Sequence, residues 1–403
     1  MPDAGPSTRA VHAGETPDPR SGAVNVPIHQ STTFWYPELP AADGTVGAAS
    51  PVPLGSGDGQ PIGRPSPYIY SRYTNPSLES VEQKVAALEG AAGGSLVFAS
   101  GMAATTSLCS ALLKPGDTLA TQRGVYGGTT AYFENDLKPW GARVVEMDAV
   151  APPAQLPPGT KLVWMESITN PLLRVADVRA WAKAAHAAGA LLCVDATFAS
   201  PVLQRPLALG ADVVMHSATK YLGGHTDVTA GCLSFADPEL RANVFLRRRN
   251  LGPTLDPHAA FLLGRGMKTL VVRVERHAHN ALALAQACAR MPGVAAVHHP
   301  GLPSHPDHAT AQALLHGGFG GMVTLDLGSQ ERAVAFRRRV KLITPAASLG
   351  GVESLASLPL ETSHAYMPTE KRRADGVTDG LVRISVGIED LADLIADVRQ
   401  AAA

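Results

Sequence analysis

His216-Ser217-Ala218-Thr219-Lys220-Tyr221-Leu222-Gly223-Gly224-His225 follows the short apolar run Val213–Met215. A nearly continuous apolar run closed by polar residues reads as a strand buried on both faces. Lys220 then stands in a loop past the strand's carboxyl end, between the hydroxyls of Ser217 and Thr219, with a Gly pair after it. Working outward, Ser95–Ala99, Thr118–Ala120, Arg143–Glu146, Leu162–Met165, Leu191–Val194 and Gly231–Phe235 have the same character. Helical stretches such as Val178–Ala188 lie between several of them. Leu78, Val81, Val85 and Leu88 also fall at helical spacing, between Asn75-Pro76 and Gly90. This alternation predicts the α/β class, with a mainly parallel sheet covered by helices on both faces. Open sheets of that kind bind ligands at the carboxyl ends of their strands, where Lys220 is placed.

A lone Lys after a strand is either a surface residue or a nucleophile. Its amine forms a Schiff base with an aldehyde cofactor when its pKa is lowered, and flanking hydroxyls suit a phosphate. Upstream, Leu191–Val194 leads into Asp195-Ala196-Thr197. Asp195 either caps a turn or aims its charge into a site. A carboxylate there would keep a pyridine nitrogen protonated, which lets the ring of pyridoxal phosphate accept electrons. Phe98-Ala99-Ser100-Gly101-Met102-Ala103-Ala104 reads as a strand, a Gly turn and a helix start. It is either an ordinary tight turn or a phosphate site made of free N–H groups and a positive helix end. The dinucleotide pattern GxGxxG is absent there, which counts against a nicotinamide cofactor. In Glu166-Ser167-Ile168-Thr169-Asn170-Pro171, Asn170 either makes a turn or donates to a cofactor oxygen. In Tyr126-Gly127-Gly128-Thr129 the aromatic ring either packs structurally or stacks on a pyridine, with its hydroxyl as acid or base.

The ends of the chain differ from this middle. Residues 37–67 are rich in Gly, Pro, Ala and Ser without helix or strand period, and Thr32-Thr33-Phe34-Trp35-Tyr36 precedes them as an anchor. After Pro257, a long or broken helix over Ala259–Arg290 precedes strands near Gly321–Leu327 and Leu381–Val386. Helices near Glu331–Val340 and Asp390–Gln400 complete an α+β pattern. The expected division is an arm over 1–67, a large domain over 68–257 and a smaller domain over 258–403. With 34 basic and 35 acidic residues in 403, the chain lacks the basic footprint of a nucleic-acid or anionic-membrane binder. No apolar run is long enough to span a membrane, and the N-terminal residues lack an apolar signal core, so a cytoplasmic location is expected. Cys109, Cys193, Cys232 and Cys288 form no CxxC pair and read as buried apolar residues. His298, His299, His305 and His308 lie in a Pro-rich loop that reads as structural, and no metal is expected. Arg247–Arg249 and Arg337–Arg339 read as solvated helix faces.

The order of phosphate turn, Tyr126, Asn170, Asp195 and Lys220 resembles the cystathionine γ-synthase/γ-lyase (Cys/Met metabolism) family of pyridoxal-phosphate enzymes. The likeness runs from about Thr8 to the C-terminus. It includes Tyr70-Ser71-Arg72-Tyr73-Thr74-Asn75-Pro76, Arg265-Gly266-Met267-Lys268-Thr269-Leu270, Ser348-Leu349-Gly350-Gly351-Val352-Glu353-Ser354 and Leu381-Val382-Arg383-Ile384-Ser385-Val386-Gly387. It implies a fold-type I transferase, with a mainly parallel seven-stranded sheet in the cofactor-binding domain. By this resemblance Lys220 holds the cofactor aldehyde and moves protons, and Asp195 pairs with the pyridine nitrogen beside Thr197. Ser217, Thr219 and the backbone of Gly101 and Met102 hold the phosphate. Tyr126 stacks on the ring and gives a proton to the leaving group, and Asn170 lies near the ring oxygen. Arg383 forks onto the substrate α-carboxylate, and Ser348 positions that group and Lys220. Tyr70 and Arg72 reach the phosphate of a neighbouring subunit, so a homodimer is the catalytic unit of an expected homotetramer.

The resemblance implies carbon–sulfur bond formation or cleavage at the γ-carbon of cystathionine or an O-activated homoserine. Cystathionine β-lyase, methionine γ-lyase and O-acylhomoserine sulfhydrylase remain open, and a non-catalytic cofactor-binding protein on the same scaffold stands further off. Many members that handle cystathionine carry Arg where this chain has Ala131, and many γ-acting members carry Glu where it has Ala347. Both departures remove charges suited to a long, doubly charged amino acid and point toward a smaller or neutral thioether. Gly128 stands where methionine γ-lyases often have Cys, and Ala196 replaces the Asn of Asp-Asn-Thr.

Overall fold

The computed structural model describes residues 4–19, 21–34, 68–365 and 367–403. Trp35, Tyr36 and the arm expected over 37–67 lie outside the described residues.

The first sheet holds β1 (Ser95–Phe98), β2 (Thr118–Gln122), β3 (Arg143–Met147), β4 (Thr160–Glu166), β5 (Leu191–Asp195), β6 (Val213–His216) and β7 (Gly231–Phe235). Their spatial order is β1-β7-β6-β5-β4-β2-β3. The pairs β2·β3, β2·β4, β4·β5 and β5·β6 are parallel. β7 runs antiparallel to both β1 and β6. A strand buried on both faces looks the same read in either direction, so its polarity is set by the connection. Between β6 and β7 the chain has turns and no crossover helix, and a parallel return normally needs one.

Around this sheet lie α1 (Pro6–His12), α2 (Pro76–Glu89), α3 (Gly101–Leu112), α4 (Gly127–Tyr132), α5 (Val178–Ala187), α6 (Ser200–Leu203) and α7 (Pro238–Leu251). The start and stop signals act as read. Asn75 Oδ1 accepts the Ser77 N–H at 2.9 Å, and Gly90 closes α2 at φ 69°. Side chains alternate along β4: Leu162 and Trp164 enter one core with Phe98, Met215 and Phe235, while Val163 and Met165 enter another with Val194 and Trp181.

The stretch read as one long or broken helix is two, α8 (Pro257–Met267) and α9 (Leu270–Cys288). At the end of α8 a Cβ on Gly266 would lie 2.1 Å from the Gly223 carbonyl, so the helix packs backbone to backbone on the turn after Lys220. Leu270 and Val274 of α9 join α2 and α8 in one core, whereas Leu284 and Cys288 enter the next.

That next core lies against the second sheet, ordered β10-β11-β12-β9-β8. Its strands are β8 (Ala296–His298), β9 (Met322–Asp326), β10 (Thr344–Pro345), β11 (Leu355–Ser357) and β12 (Leu381–Ser385). They are accompanied by α10 (His308–Leu314), α11 (Gln330–Arg339), α12 (Thr369–Ala374) and α13 (Leu391–Ala402). Its pairs are antiparallel apart from β10·β11.

One expectation is corrected. Arg248, read as part of a solvated face, is buried. Its Nη1 donates to Glu82 Oε1 at 2.5 Å and to the Val97 carbonyl at 2.8 Å, and Nη2 donates to the Tyr73 carbonyl. Charge runs in sequence do not reveal a buried partner on another helix.

The four cysteines are buried and unpaired. In the His-rich loop, His299 Nδ1 accepts the Gly301 N–H and His305 Nδ1 accepts the Asp307 N–H. Among the described residues no group of three or more His, Cys, Asp or Glu could hold a metal ion. No described helix is long and apolar enough to cross a membrane.

Candidate active site

Loops at the carboxyl edge of β1, β4, β5 and β6 converge with two segments of the second sheet. Lys220 is half-buried, and its Nζ donates to Ser348 Oγ at 2.7 Å. Burial, reinforced by the nearby Arg383 charge, pulls the Lys220 amine down to about 8. Ser348 itself holds φ 108°, a backbone state that costs a residue with a Cβ on the order of 1–3 kcal/mol. Its hydroxyl and carbonyl thereby serve two neighbours, because Arg383 Nη2 donates to the Ser348 carbonyl at 3.1 Å.

Arg383 leaves β12 on the face opposite Val382 and Ile384, which enter the second core. Its Nη1 donates to Asn170 Oδ1 at 3.0 Å, and its buried Nε has no hydrogen-bond partner among the described residues. Burial pulls this guanidinium down to about 10, and the groups that counter that pull are the Tyr221 and Tyr126 hydroxyls, with no carboxylate among them. A buried cation with only neutral partners is suited to receive an anion. Asn170 is held in turn: Thr324 Oγ1 donates to the Pro171 carbonyl at 2.6 Å, and Arg174 forks onto Asp307 at 2.5 and 2.9 Å.

Asp195 ends β5 and is 8% exposed. Its Oδ1 accepts from the Thr197 N–H at 2.9 Å and the Thr197 hydroxyl at 2.5 Å, while Oδ2 takes no hydrogen bond from the described residues. Thr197 Oγ1 also accepts the Ser217 N–H at 2.9 Å, which ties Asp195 to the Lys220 loop. Burial pushes the Asp195 carboxyl up, and the Thr197 bonds and the His216 charge pull it back. His216 is paired with Glu89, Nε2 to Oε1 at 2.5 Å, on buried ground between β6 and α2.

Ser100 caps α3 by accepting the Ala103 N–H at 3.0 Å, so the first turn keeps the unpaired N–H groups of Gly101 and Met102. A Cβ on Gly101 would lie 3.0 Å from Ser217 Cβ, and one on Gly231 would lie 2.2 Å from the Ser100 carbonyl. The glycines thus let the helix start, Ser217 and β7 close into one small cradle. Thr219 is set otherwise: its hydroxyl donates to the Ala230 carbonyl at 3.1 Å and accepts the Ala230 N–H at 2.9 Å. That pair closes the loop after Lys220, and the Ser217 side chain stands against the cradle beside it.

Tyr126 is 50% exposed, with its ring over Gly128, where a Cβ would lie 2.6 Å from Cε1. Among the described residues, neither Tyr70 nor Arg72 makes a hydrogen bond to Lys220, Ser348 or Arg383. Arg72 Nη1 donates to the Arg249 carbonyl at 2.6 Å, its guanidinium lies 4.9 Å from the Tyr73 ring, and Tyr70 is 38% exposed.

The sequence reading missed Glu166, 6% exposed at the end of β4, whose Oε1 accepts the Tyr126 N–H at 2.6 Å. The available signal was that Glu166, like Asp195, is the carboxylate closing an apolar strand. It also missed Ser363, whose carbonyl sits 2.7 Å from where a Gly127 Cβ would be, and His364 beside it. No local pattern marks these.

The donor set fits pyridoxal phosphate: a cradle of N–H groups and a hydroxyl, a carboxylate oxygen without a hydrogen-bond partner among the described residues, and an amine with a lowered pKa. Comparison with known proteins agrees. The family described as Cys/Met metabolism PLP-dependent enzyme matches residues 7–403. The chain is 43% identical to cystathionine gamma-synthase of Mycobacterium tuberculosis, covering 98% of this chain and 96% of the relative. It is 41% identical to cystathionine gamma-lyase of Bacillus subtilis, covering 98% of each. The crystal structure of metB from Corynebacterium glutamicum superposes with a TM-score of 0.90 at 40% identity, covering 100% of this chain and 99% of that one.

Proposed function

Because the chain belongs to the Cys/Met metabolism family of pyridoxal-phosphate-dependent transsulfuration enzymes, we propose that it makes or breaks a carbon–sulfur bond at the γ-carbon of cystathionine or an O-activated homoserine. The observation that carries the reading is the Lys220–Ser348–Arg383 chain, an amine with a lowered pKa beside a buried guanidinium that lacks an anion. The γ-position is supported by the relatives at 41–43% identity, both named for γ-chemistry.

When bound, pyridoxal phosphate supplies an aldehyde for the Lys220 amine and a protonated ring that accepts the electrons left by a departing proton. In this reading the N–H groups of Gly101 and Met102 with the Ser217 and Thr219 hydroxyls hold the phosphate, and the contacts of Thr219 with Ala230 keep their loop closed. Asp195, steadied by Thr197, offers Oδ2 to the ring nitrogen. Asn170 keeps its amide N–H₂ for the ring oxygen because Oδ1 already serves Arg383. Arg383 takes the substrate α-carboxylate bidentately. Ser348 accepts from the Lys220 amine and directs it toward the substrate. Lys220 would remove the α-proton and hand it on to the bound cofactor, a transfer that restores the neutral amine to take a β-proton, and the Tyr126 hydroxyl would give a proton to the leaving group. The large domain, 68–257, holds the cofactor, and the small domain, 258–403, holds the substrate carboxylate.

Tyr70 and Arg72 act in the site of a second copy, so a homodimer is the catalytic unit and a tetramer the assembly. That the Arg72 guanidinium bonds to the Arg249 carbonyl, and not to the Lys220–Ser348–Arg383 group, supports this. Mixing Lys220→Ala with Arg72→Ala subunits, each impaired alone, is expected to return about a quarter of wild-type activity, because half the dimers are hybrids with one intact site. No recovery on subunit exchange rejects the shared site.

Product analysis with L-cystathionine tests the γ-assignment. Cysteine and 2-oxobutanoate are expected; homocysteine and pyruvate would replace it with β-cleavage. Ala131 and Ala347, both exposed, favour a second reading, a smaller neutral thioether. Methionine turned over faster than cystathionine would establish that reading.

A further inference from the structure

Glu166 has no part in the reaction as outlined, yet it stands in register with Asp195 on the adjacent parallel strand. Both side chains therefore leave the same face of the sheet at its carboxyl edge, on strands about 4.8 Å apart. Both are buried. Glu166 is gripped from β2, since its N–H donates to Gln122 Oε1 at 2.7 Å. Its Oε1 accepts the Tyr126 N–H, and its Oε2 is buried with no hydrogen-bond partner among the described residues. The charged group acting on it is Asp195, while the Tyr126 and Asn170 backbone N–H groups face it from α4 and the Asn170 loop.

Two buried carboxylates on adjacent strands oppose each other's ionisation, and the one cationic group acting on the pair, His216, acts on Asp195. Hydrogen bonds decide which keeps the proton. Asp195 receives two donors on one oxygen from Thr197, which favours its charge. Glu166 Oε2 has no hydrogen-bond partner among the described residues, and burial together with the Asp195 charge pushes the carboxyl well above the usual range against the pull of the Tyr126 and Asn170 N–H groups. We propose that Glu166 works as a neutral carboxylic acid, a positioning residue that holds the Tyr126 backbone and leaves Asp195 the single anion facing the cofactor ring. The inference rests on the reading of Tyr126 and Asp195 given above. It explains how Tyr126, half exposed, keeps a defined place: its N–H is tied to the sheet edge, and its carbonyl accepts the Thr130 N–H at 3.0 Å.

Infrared difference spectra of the full chain without cofactor, wild type against Glu166→Gln, read the proton directly. A protonated-carboxyl C=O band present in the wild type at neutral pH and missing in the variant is expected. In the holoenzyme, Glu166→Gln keeps an oxygen for the Tyr126 N–H and carries no charge. Its kcat is expected within about twofold of wild type, with the circular dichroism of the bound cofactor unchanged. Glu166→Ala loses the acceptor and is expected to lower kcat on the order of tenfold, with an altered cofactor signal and KM nearly unchanged. A wild-type spectrum without that band, or a Glu166→Gln enzyme as impaired as Glu166→Ala, overturns the proposal. A wild-type chain that turned over no transsulfuration substrate would defeat the functional reading and leave the infrared result standing.

Discussion

The two sheets bring different kinds of group to one cleft. The first presents the ends of parallel strands, where loops and a helix start gather backbone N–H groups and a few polar side chains: Gly101, Asn170, Asp195, Ser217 and Lys220. The second presents the polar face of antiparallel strands. Thr324, Ser357 and Arg383 lie abreast on it, while Val382 and Ile384 fill the core behind. A parallel edge gathers phosphate and proton-transfer groups because its orphan donors point one way. An antiparallel face offers side chains in a fixed lattice, which suits one rigid ion-pairing contact. The difference separates the work of cofactor and substrate between two regions joined at Lys220–Ser348 and Asn170–Arg383.

That separation is open to test. Lys220→Ala should have the largest effect, a fall in kcat on the order of 10⁴-fold or more together with loss of the absorbance of cofactor bound through its aldehyde. Arg383→Ala comes next. Removing one partner of a buried charge contact costs about 2–5 kcal/mol, so kcat/KM should drop on the order of 10²–10³-fold. Cofactor absorbance should survive in Arg383→Ala, and its loss would break the comparison. Asp307→Ala should have the smallest effect. It frees Arg174 and removes the acceptor of the buried Val175 N–H, for about 1–2 kcal/mol of stability. Denaturant midpoints measure that cost. A several-fold loss of kcat alongside it would show that the small domain steadies Asn170 for turnover.

The cofactor side of the site was legible because each of its segments is local. A strand, a turn and a polar residue within a few positions determine where Asp195, Gly101 and Lys220 stand, and the strands appear within about two residues of the expected ends. The chain alternation likewise determined the class of the first sheet. Tertiary structure decided the rest. The direction of β7 depends on the path of the loop before it, not on its apolar pattern. Arg248 looks solvated until Glu82 is packed against it. Asn170 and Arg383 meet across a sequence separation of 213 residues, and Glu166 and Asp195 become a pair through the register of β4 on β5. Sequence spacing carries the period of a helix or strand, whereas register, polarity and burial of charge arise only when separate elements share one surface.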